Sequence, residues 1–104
     1  MTMTKTIWTC EFKLNKGTNE AEFLAASKLL GKEYISKQRG YISWQQLKGD
    51  NTWIDVLTWE TLEDAKAFES SGNNGGGGEL ADKYFSFVDL MSCKTGYYSV
   101  KQEH

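Results

Sequence analysis

The sequence predicts a single α+β domain of β-α-β-β-α-β order, the ferredoxin-like arrangement in which a four-stranded antiparallel sheet carries its helices on one face. Three observations predict it. Apolar and polar residues alternate over residues 5–14, as in a strand, and apolar residues recur every three or four positions over 23–35, as in an amphipathic helix. A polar turn then joins two further strand-like runs. The chain has 104 residues, which suits one domain, and we place that domain at residues 1–104.

The first strand and the first helix have clear boundaries in the sequence. The alternation over Lys5–Leu14 ends at Asn15-Lys16-Gly17, a turn-forming triplet. Asn19 precedes the helical pattern and has Glu22 three residues later, which is close to a capping box. We expect this helix to end at Arg39-Gly40, since glycine commonly follows a helix C-terminus.

The second half of the chain supplies two strands, an interrupted helix and a last strand. Thr61 is expected to cap the second helix, with Asp64 in its first turn. Residues 70–78 are polar and rich in glycine, so we expect them to break that helix. The expected elements are strands at Tyr41–Leu47 and Thr52–Glu60 joined by a turn at Lys48–Asn51, a second helical piece at Glu79–Val88, and a strand at Cys93–Lys101.

The third strand predicts a partner for the sheet. Ile54 and Val56 would lie on the face away from the helices, where a single chain would leave them in water. A contiguous exposed apolar face usually marks an interface. We therefore expect a homodimer in which two such sheets pack face to face.

Charge and hydropathy exclude two classes of partner. The formal net charge is −2, so there is no basic field to attract a nucleic-acid backbone. No stretch approaches the roughly 18 apolar residues of a membrane span. The segment Met1–Lys5 carries one cation and no apolar run follows it, so we expect no export signal and a cytoplasmic protein.

Cysteine and histidine usage restricts the chemistry further. Cys10 and Cys93 lie in expected strands and lack a metal-binding spacing, so we expect two reduced thiols in preference to a disulfide. The one histidine, His104, is the last residue. A catalytic or metal-binding histidine is therefore excluded unless the end of the chain returns to a site, and we expect no metal.

The central part of the chain carries a family-like pattern, RGYISWQQLKG followed by WIDVLTWETLEDAKAF. Gly40-Tyr41 opens the second strand, Trp59-Glu60-Thr61 ends the third, and an acidic helix that contains alanine follows through Ala65–Phe68. In these features the chain resembles the antibiotic-biosynthesis-monooxygenase-like family of dimeric α+β barrels. The resemblance implies a dimeric barrel that oxygenates aromatic or quinol substrates without a cofactor.

One branch of that family degrades haem, and the resemblance to this branch is incomplete. The branch combines the strand-end tryptophan, matched by Trp59, with a histidine on the following helix and an asparagine near the first strand. This chain has Ser70-Ser71-Gly72 in the helix region, and Thr9 and Glu11 in the first strand. Haem iron needs an axial ligand, so we expect neither haem degradation nor a bound cofactor.

Asp55 is the candidate catalytic residue. By strand parity it shares a face with Trp53 and Trp59, and the resemblance implies that Trp59 points at the helices. Burial between indoles would disfavour the charged carboxylate and raise its pKa. Such a group can accept a proton from a phenol or an activated C–H before O₂ reacts. The alternative is that Asp55 only fixes the core, paired with Lys66, Arg39 or a tyrosine hydroxyl.

Aromatic side chains supply candidate contacts for a flat ring. Four Trp, five Tyr and five Phe are many for so short a chain. They either line a substrate pocket or form the core of a small domain. The candidate substrate-binding residues are Trp59, Trp53, Trp44, Tyr41, Tyr84 and Phe68.

Two functions remain open on the sequence. The first is a cofactor-independent monooxygenase acting on a small aromatic or quinol-type substrate, with Asp55 as the proton acceptor. The second is a non-catalytic module of the same fold that binds a small molecule or assembles with a partner. Gly75–Gly78 is expected to form either a flexible flap over the pocket or a tolerant surface loop.

Overall fold

The computed structural model describes residues 4–104, in which strands and helices follow the expected order. The expectation about an export signal concerns Met1–Lys5 and so falls mostly outside the described residues. The assignment of residues 1–104 to one domain stays a prediction. The elements are β1 (Thr6–Leu14), α1 (Glu20–Glu33), β2 (Tyr41–Lys48), β3 (Trp53–Trp59), α2 (Leu62–Asn73), α3 (Gly78–Ser86) and β4 (Val88–Ser99), with a short 3₁₀ turn at Ile35–Lys37 after α1.

The sheet has the strand order β2-β3-β1-β4, and every neighbouring pair is antiparallel. This order confirms the predicted α+β, ferredoxin-like class. β1 and β3 occupy the centre of the sheet, where Cys10 lies opposite Asp55 on one side and opposite Thr95 of β4 on the other. The candidate carboxylate is thus held in the middle of the sheet.

Both predicted helix starts are confirmed by their capping bonds. The Asn19 side chain accepts a hydrogen bond from the Glu22 backbone N–H at 3.0 Å. The Thr61 hydroxyl accepts one from the Asp64 backbone N–H, also at 3.0 Å. Each bond satisfies one of the N–H groups that a helix leaves unpaired in its first turn.

Two helix ends differ from the prediction. α1 ends at Glu33 instead of reaching Gly40, because Tyr34 leaves helical geometry, with φ −128° and ψ −61°, and a 3₁₀ turn follows it. α2 continues to Asn73, through residues that were expected to break it. Even with this extension, no helix between residues 4 and 104 meets the length and hydropathy that a bilayer crossing requires.

β4 begins at Val88, not at the predicted Cys93, because a bulge hides its alternation. Its register against β1 shifts between Glu11 and Lys13. At that point the Ser92 hydroxyl accepts a hydrogen bond from the Lys13 backbone N–H at 2.8 Å. A bulge breaks the period of two on which the prediction of this strand depended.

The helices cover one face of the sheet, and the core lies between the two layers. Burial alternates strictly along β3, where the buried residues are Trp53, Asp55, Leu57 and Trp59. The carboxylate therefore lies on the helix-covered face, as strand parity predicted. Phe23 of α1 is fully buried at the centre of an aromatic cluster on this face.

The opposite face of the sheet is apolar and partly exposed. Ile54 and Val56 of β3 are half-buried, while Leu47 of β2 and Tyr98 of β4 are 49% and 60% exposed. By the register, Leu47 lies opposite Ile54, and Tyr98 lies opposite Ile7 of β1. We call this surface, defined by these five residues, the open face.

Gly40 precedes β2 and has φ +81°, and a Cβ there would lie 2.6 Å from the Cβ of Asp64. We expect Gly40→Ala to lower the free energy of unfolding by about 2–4 kcal/mol, because a left-handed backbone penalty adds to this clash. Urea denaturation measures the loss. Gly17→Ala is the matched control, since Gly17 has φ +83° with nothing within 4 Å, and it should lose only about 1–2 kcal/mol. Equal losses at the two positions would contradict the clash with Asp64.

Candidate functional site

A cavity of about 260 Å³ lies between the sheet and the helices. Residues of β1, β3 and β4 form its floor, and residues of α1, α2 and α3 contribute to the opposite wall. Most of the lining is apolar with a few polar groups, which is the usual composition of a small-molecule site. Its volume suits a ligand of one or two rings, because pockets for drug-sized ligands begin at about 300 Å³.

Asp55 lies on the floor of this cavity and is only 5% exposed. Its Oδ2 accepts a hydrogen bond from the hydroxyl of Tyr84, which belongs to α3. Its Oδ1 has no hydrogen-bond partner among residues 4–104. Burial raises the pKa of Asp55 from 3.8 to about 6, and the hydrogen bond from Tyr84 opposes part of this rise. The carboxylate form is therefore available at neutral pH.

Tyr84 remains protonated and so acts as the donor to Asp55. Burial raises the pKa of Tyr84 far above its ordinary value, and the negative charge of Asp55 adds to the rise. The Tyr84 ring packs against Phe23 and Phe12, with centroids 5.4 Å and 6.4 Å away. This packing holds the hydroxyl against the Asp55 carboxylate.

Trp44 of β2 borders the same end of the cavity. Its ring meets the Tyr84 ring edge-on, with centroids 5.9 Å apart. Its indole N–H is buried without a hydrogen-bond partner among residues 4–104, although it lies near enough to Asp55 to lower the carboxyl pKa. Gln46 has the same effect on that pKa, but its amide donates to Ser27 Oγ at 3.0 Å. The Asp55 end of the cavity thus holds an acceptor and a donor that lie near each other, and neither forms a hydrogen bond of normal geometry among residues 4–104.

Glu69 of α2 is the second carboxylate that lines the cavity. Its two oxygens accept hydrogen bonds from Trp8 Nε1 at 3.0 Å and from the Tyr97 hydroxyl at 2.6 Å. Burial, with the hydrogen bond to Glu69, raises the pKa of Tyr97 to about 12, so Tyr97 also stays a donor. Since Trp8 and Tyr97 are paired across β1 and β4, Glu69 is tied to the sheet beneath it.

The two cysteines also line the cavity, on the neighbouring strands β1 and β4. Both are free thiols, as the sequence predicted. Burial raises the pKa of Cys10 to about 12, and Cys93 and Asp55 add to the rise. Cys10 therefore keeps its proton at neutral pH, which makes it a poor nucleophile.

The glycine-rich connection between α2 and α3 borders the cavity through Gly76. A Cβ at Gly76 would collide with the hydroxyls of Tyr34 and Ser71 and would lie 2.6 Å from the Ser71 carbonyl oxygen. Those two hydroxyls are hydrogen-bonded to each other at 2.6 Å. The expectation of a tolerant surface loop is therefore wrong at Gly76, where the chain packs closely against Tyr34 at the end of α1.

No family model matches the sequence, and no curated protein matches it. Solved structures do match. SnoaB, a cofactor-independent oxygenase from Streptomyces nogalater, superimposes with a TM-score of 0.73 at 13% identity, covering 96% of each chain. A Bordetella bronchiseptica protein, whose name assigns it to the antibiotic biosynthesis monooxygenases, gives a TM-score of 0.75 at 14% identity over 95% of this chain and 99% of that one. A conserved protein from Methanosarcina mazei Go1 gives a TM-score of 0.70 at 14% identity over 96% of each chain.

This chain has the antibiotic-biosynthesis-monooxygenase-like (ABM-like) fold. The superpositions cover nearly its whole length, so the shared fold includes β1 and β4. At 13–14% identity the likeness shows the fold and does not assign a role to any residue.

The ABM-like fold brings part of the predicted site to the cavity. Of the alternatives considered for Asp55, the tyrosine hydroxyl is the partner that forms. Lys66 is exposed, and Arg39 pairs instead with Asp64 at 3.8 Å. The predicted site residues that line the cavity are Asp55, Trp44, Tyr84 and Phe68.

Three of the predicted contacts lie behind the cavity wall and belong to the core of the ABM-like fold. Trp59 is fully buried, with its ring centroid 4.9 Å from that of Phe68, and the Tyr41 ring lies edge-on to Trp59 at 6.0 Å. Trp53 packs edge-on against Phe23 at 5.2 Å. Trp59, Trp53 and Tyr41 therefore pack in the core, which was the alternative to a place in the substrate pocket.

The sequence interpretation missed Glu69 and its partners. Parity placed Trp8 on the inner face of β1, so its burial was predictable. Its bond to Glu69 was not, because that contact depends on where α2 crosses the ABM-like sheet. Glu69 follows Phe68 directly, and a helical pattern alone does not tell whether such a carboxylate faces the core or water.

The residues around the cavity do not fit haem. Of the described residues that line it, none is a histidine, and His104 is exposed at the end of the chain. No group of three or more His, Cys, Asp or Glu within the described part of the chain is placed to hold a metal ion. We therefore assign no step to haem.

The raised pKa of Asp55 makes stability depend on pH. This carboxyl has a pKa of about 6 in the folded protein and an ordinary value of 3.8, which we take for the unfolded chain. Between pH 3.8 and about pH 6 the folded protein therefore binds more protons than the unfolded chain does. The protonated carboxyl contributes to stability below the unfolded pKa. As the pH rises through the folded pKa this contribution is lost, and the free energy of unfolding falls by roughly 3 kcal/mol. Asp55→Asn removes this loss, and we expect it to raise the free energy of unfolding at pH 8 by about 1–3 kcal/mol, with little change at pH 4.

Urea denaturation at both pH values measures this effect. Asp50→Asn is the matched control, because Asp50 lies exposed in the turn between β2 and β3 and should change stability at neither pH. An Asp55→Asn protein less stable than the wild type at pH 8 would mean that the carboxylate, as placed, stabilises the fold.

Proposed function

We propose that this protein is a cofactor-independent monooxygenase acting on a small aromatic or quinol-type substrate, with Asp55 as the base. The observation that carries the proposal is the buried Asp55 carboxylate, which lines the cavity with its Oδ1 unpartnered among residues 4–104. A perturbed carboxylate in a cavity is a recognised mark of a functional site. SnoaB, which shares the fold, is described as a cofactor-independent oxygenase.

The proposed first step is proton transfer to Asp55. Oδ1 accepts the proton of an acidic hydroxyl on the bound ring, while Tyr84 holds Oδ2. With a pKa of about 6, this carboxyl is ionised at neutral pH and is still a stronger base than an ordinary aspartate, which favours the transfer. The unused indole N–H of Trp44 donates to the ring oxygen as that oxygen becomes negative.

The substrate supplies the electrons in this reaction. A phenol plus O₂ gives a quinone plus water, so one oxygen atom enters the ring and the other leaves as water. The four electrons that O₂ takes up all come from the ring, and no external reductant is needed. The apolar lining supports this chemistry, because it keeps bulk water away from the deprotonated ring.

We also propose that a second copy of the chain covers the open face. Leu47 and Tyr98 are 49% and 60% exposed there, beside half-buried Ile54 and Val56. Two sheets that pack face to face would remove all of these side chains from water. The family resemblance implies the same dimeric barrel.

Asp55→Asn tests the base, with oxygen uptake measured on a series of one- and two-ring phenols and quinols. We expect the variant to lower kcat by about 10²–10⁴-fold, the usual contribution of a positioned base, because the amide cannot accept the proton. In the wild type, kcat/KM should rise with pH until the pKa of Asp55, about 6, and then level, since only the carboxylate is active.

Asp50→Asn is again the control and should keep wild-type turnover. Oxygen uptake that survives in Asp55→Asn, or that falls as the pH rises through the pKa of Asp55, would contradict its role as the base. Phenol binding without any oxygen uptake in the wild type would favour the non-catalytic binding module.

The proposed dimer predicts a mass in solution. Light scattering at micromolar concentration should give twice the mass of one chain. Val56→Lys places a charge at the centre of the open face, opposite Thr9, and should shift the protein to single chains. Ala67→Lys, on the exposed side of α2, is the control and should remain dimeric. A wild-type protein with the mass of one chain would show that the open face tolerates water.

A further inference from the structure

The cavity carries two carboxylates and no basic residue. Asp55 and Glu69 both line it, whereas none of the described residues that line it is Lys, Arg or His. Neither carboxylate takes part in the ion pairs formed within residues 4–104. Asp55 is 5% exposed, and its Oδ1 has no partner among the same residues. The two carboxylates of the cavity are therefore hydrogen-bonded to neutral donors and are not paired with a cation of the lining.

Glu69 can accept a further donor from a ligand. A carboxylate offers about four acceptor positions, and the protein fills one on each Glu69 oxygen, with Trp8 Nε1 and with the Tyr97 hydroxyl. Both of these partners are neutral, so the half-buried Glu69 has no cationic partner in the cavity lining. A ligand with a positively charged N–H group would supply both a hydrogen bond and the missing charge.

Aromatic rings surround the Glu69 end of the cavity. Phe68 precedes Glu69 and lies edge-on to Trp8, with centroids 6.1 Å apart. The Tyr34 ring lies 6.3 Å from Phe68, and all three rings line the cavity. The faces of such rings attract cations, most strongly where water is excluded.

The register gives the offset along β1 between the two residues that mark the positions of the carboxylates. Asp55 lies opposite Cys10 on β1, while Glu69 is bonded to Trp8, two residues away on the same face of that strand. Two residues of a strand span about 6.6 Å. The negative charges of Asp55 and Glu69 both raise the pKa of Cys10, which fits a position near both groups. A single ring with a short chain covers this offset along the strand.

We propose that the cavity takes a phenolic amine, which presents its ring hydroxyl to Asp55 and a protonated amine on a short chain to Glu69. The placement of the ring hydroxyl at Asp55 depends on the proposed function. The placement of the amine at Glu69 depends only on the charge of the cavity. An organic cation fits better than a metal ion, because no group of three or more His, Cys, Asp or Glu in the described residues is placed to hold one. A phenol that carries a carboxylate is rejected, since it would add a third negative charge where no cation is present.

Calorimetric titration of the wild-type protein in oxygen-free buffer at pH 8 tests the proposal. The probes are tyramine, the neutral 4-ethylphenol of similar shape, and the anionic 3-(4-hydroxyphenyl)propanoate. We expect tyramine to bind at least about tenfold more tightly than 4-ethylphenol, and the anion at least about tenfold more weakly, from the charge of the cavity alone. Equal binding of tyramine and 4-ethylphenol, or tighter binding of the anion, would overturn the proposal.

Two variants test whether the preference for tyramine over 4-ethylphenol depends on the charge of Glu69. Glu69→Gln keeps the shape and removes the charge, so the affinity ratio of tyramine to 4-ethylphenol should fall towards one. Tyr97→Phe removes one donor and keeps the charge, so the ratio should persist. Glu63→Gln, on the exposed side of the same helix, is the matched control. A ratio unchanged in Glu69→Gln would overturn the assignment, and the wild-type comparison decides the charge preference even if that variant does not fold.

Failure of this inference can be told apart from failure of the proposed function. Binding without oxygen reports on charge recognition, and oxygen uptake reports on chemistry. Preferred binding of tyramine with no oxygen uptake would support the amine site and contradict the monooxygenase. Oxidation of neutral phenols with no preference for tyramine would support the monooxygenase and overturn the amine site.

Discussion

Strand alternation places the carboxylate of Asp55 on the same face of β3 as Trp53, Leu57 and Trp59. A slip of one residue in the register would move those large apolar side chains into water, so hydrophobic burial keeps the carboxylate inside. The hydrogen bond from Tyr84 offsets part of the cost of that burial. Asp55 Oδ1 has no hydrogen-bond partner within residues 4–104, and because Asp55 lines the cavity, a bound ligand could donate a hydrogen bond to it.

Most of the fold follows from short-range patterns. The caps at Asn19 and Thr61 and the inward face of β3 were readable because each depends on residues close together in the chain. The errors came where the local period is interrupted. β4 was begun too late because its bulge opposite β1 breaks the alternation, and α1 was extended past Tyr34, whose backbone geometry no spacing reveals.

The site was predictable only in part, for a related reason. Strand parity predicted which face of β3 carries Asp55. The composition suggested that aromatic side chains surround it, and of these Trp44 and Tyr84 line the cavity. Whether an aromatic side chain borders an empty volume or fills the core depends on how the helices cross the sheet. Trp59 was therefore assigned to the pocket although it does not line the cavity, and Glu69 was missed.

The short length of α3 links the chemistry of the cavity to tertiary packing. This helix has nine residues, a length at which an isolated helix does not persist in water. It is held partly by Tyr84, whose ring rests on Phe23 of α1. Detachment of α3 would let solvent reach Asp55 and return it to the acidity of a surface aspartate. Any ligand, partner or modification that loosens this one helix would therefore lower the pKa of Asp55 without contacting that residue.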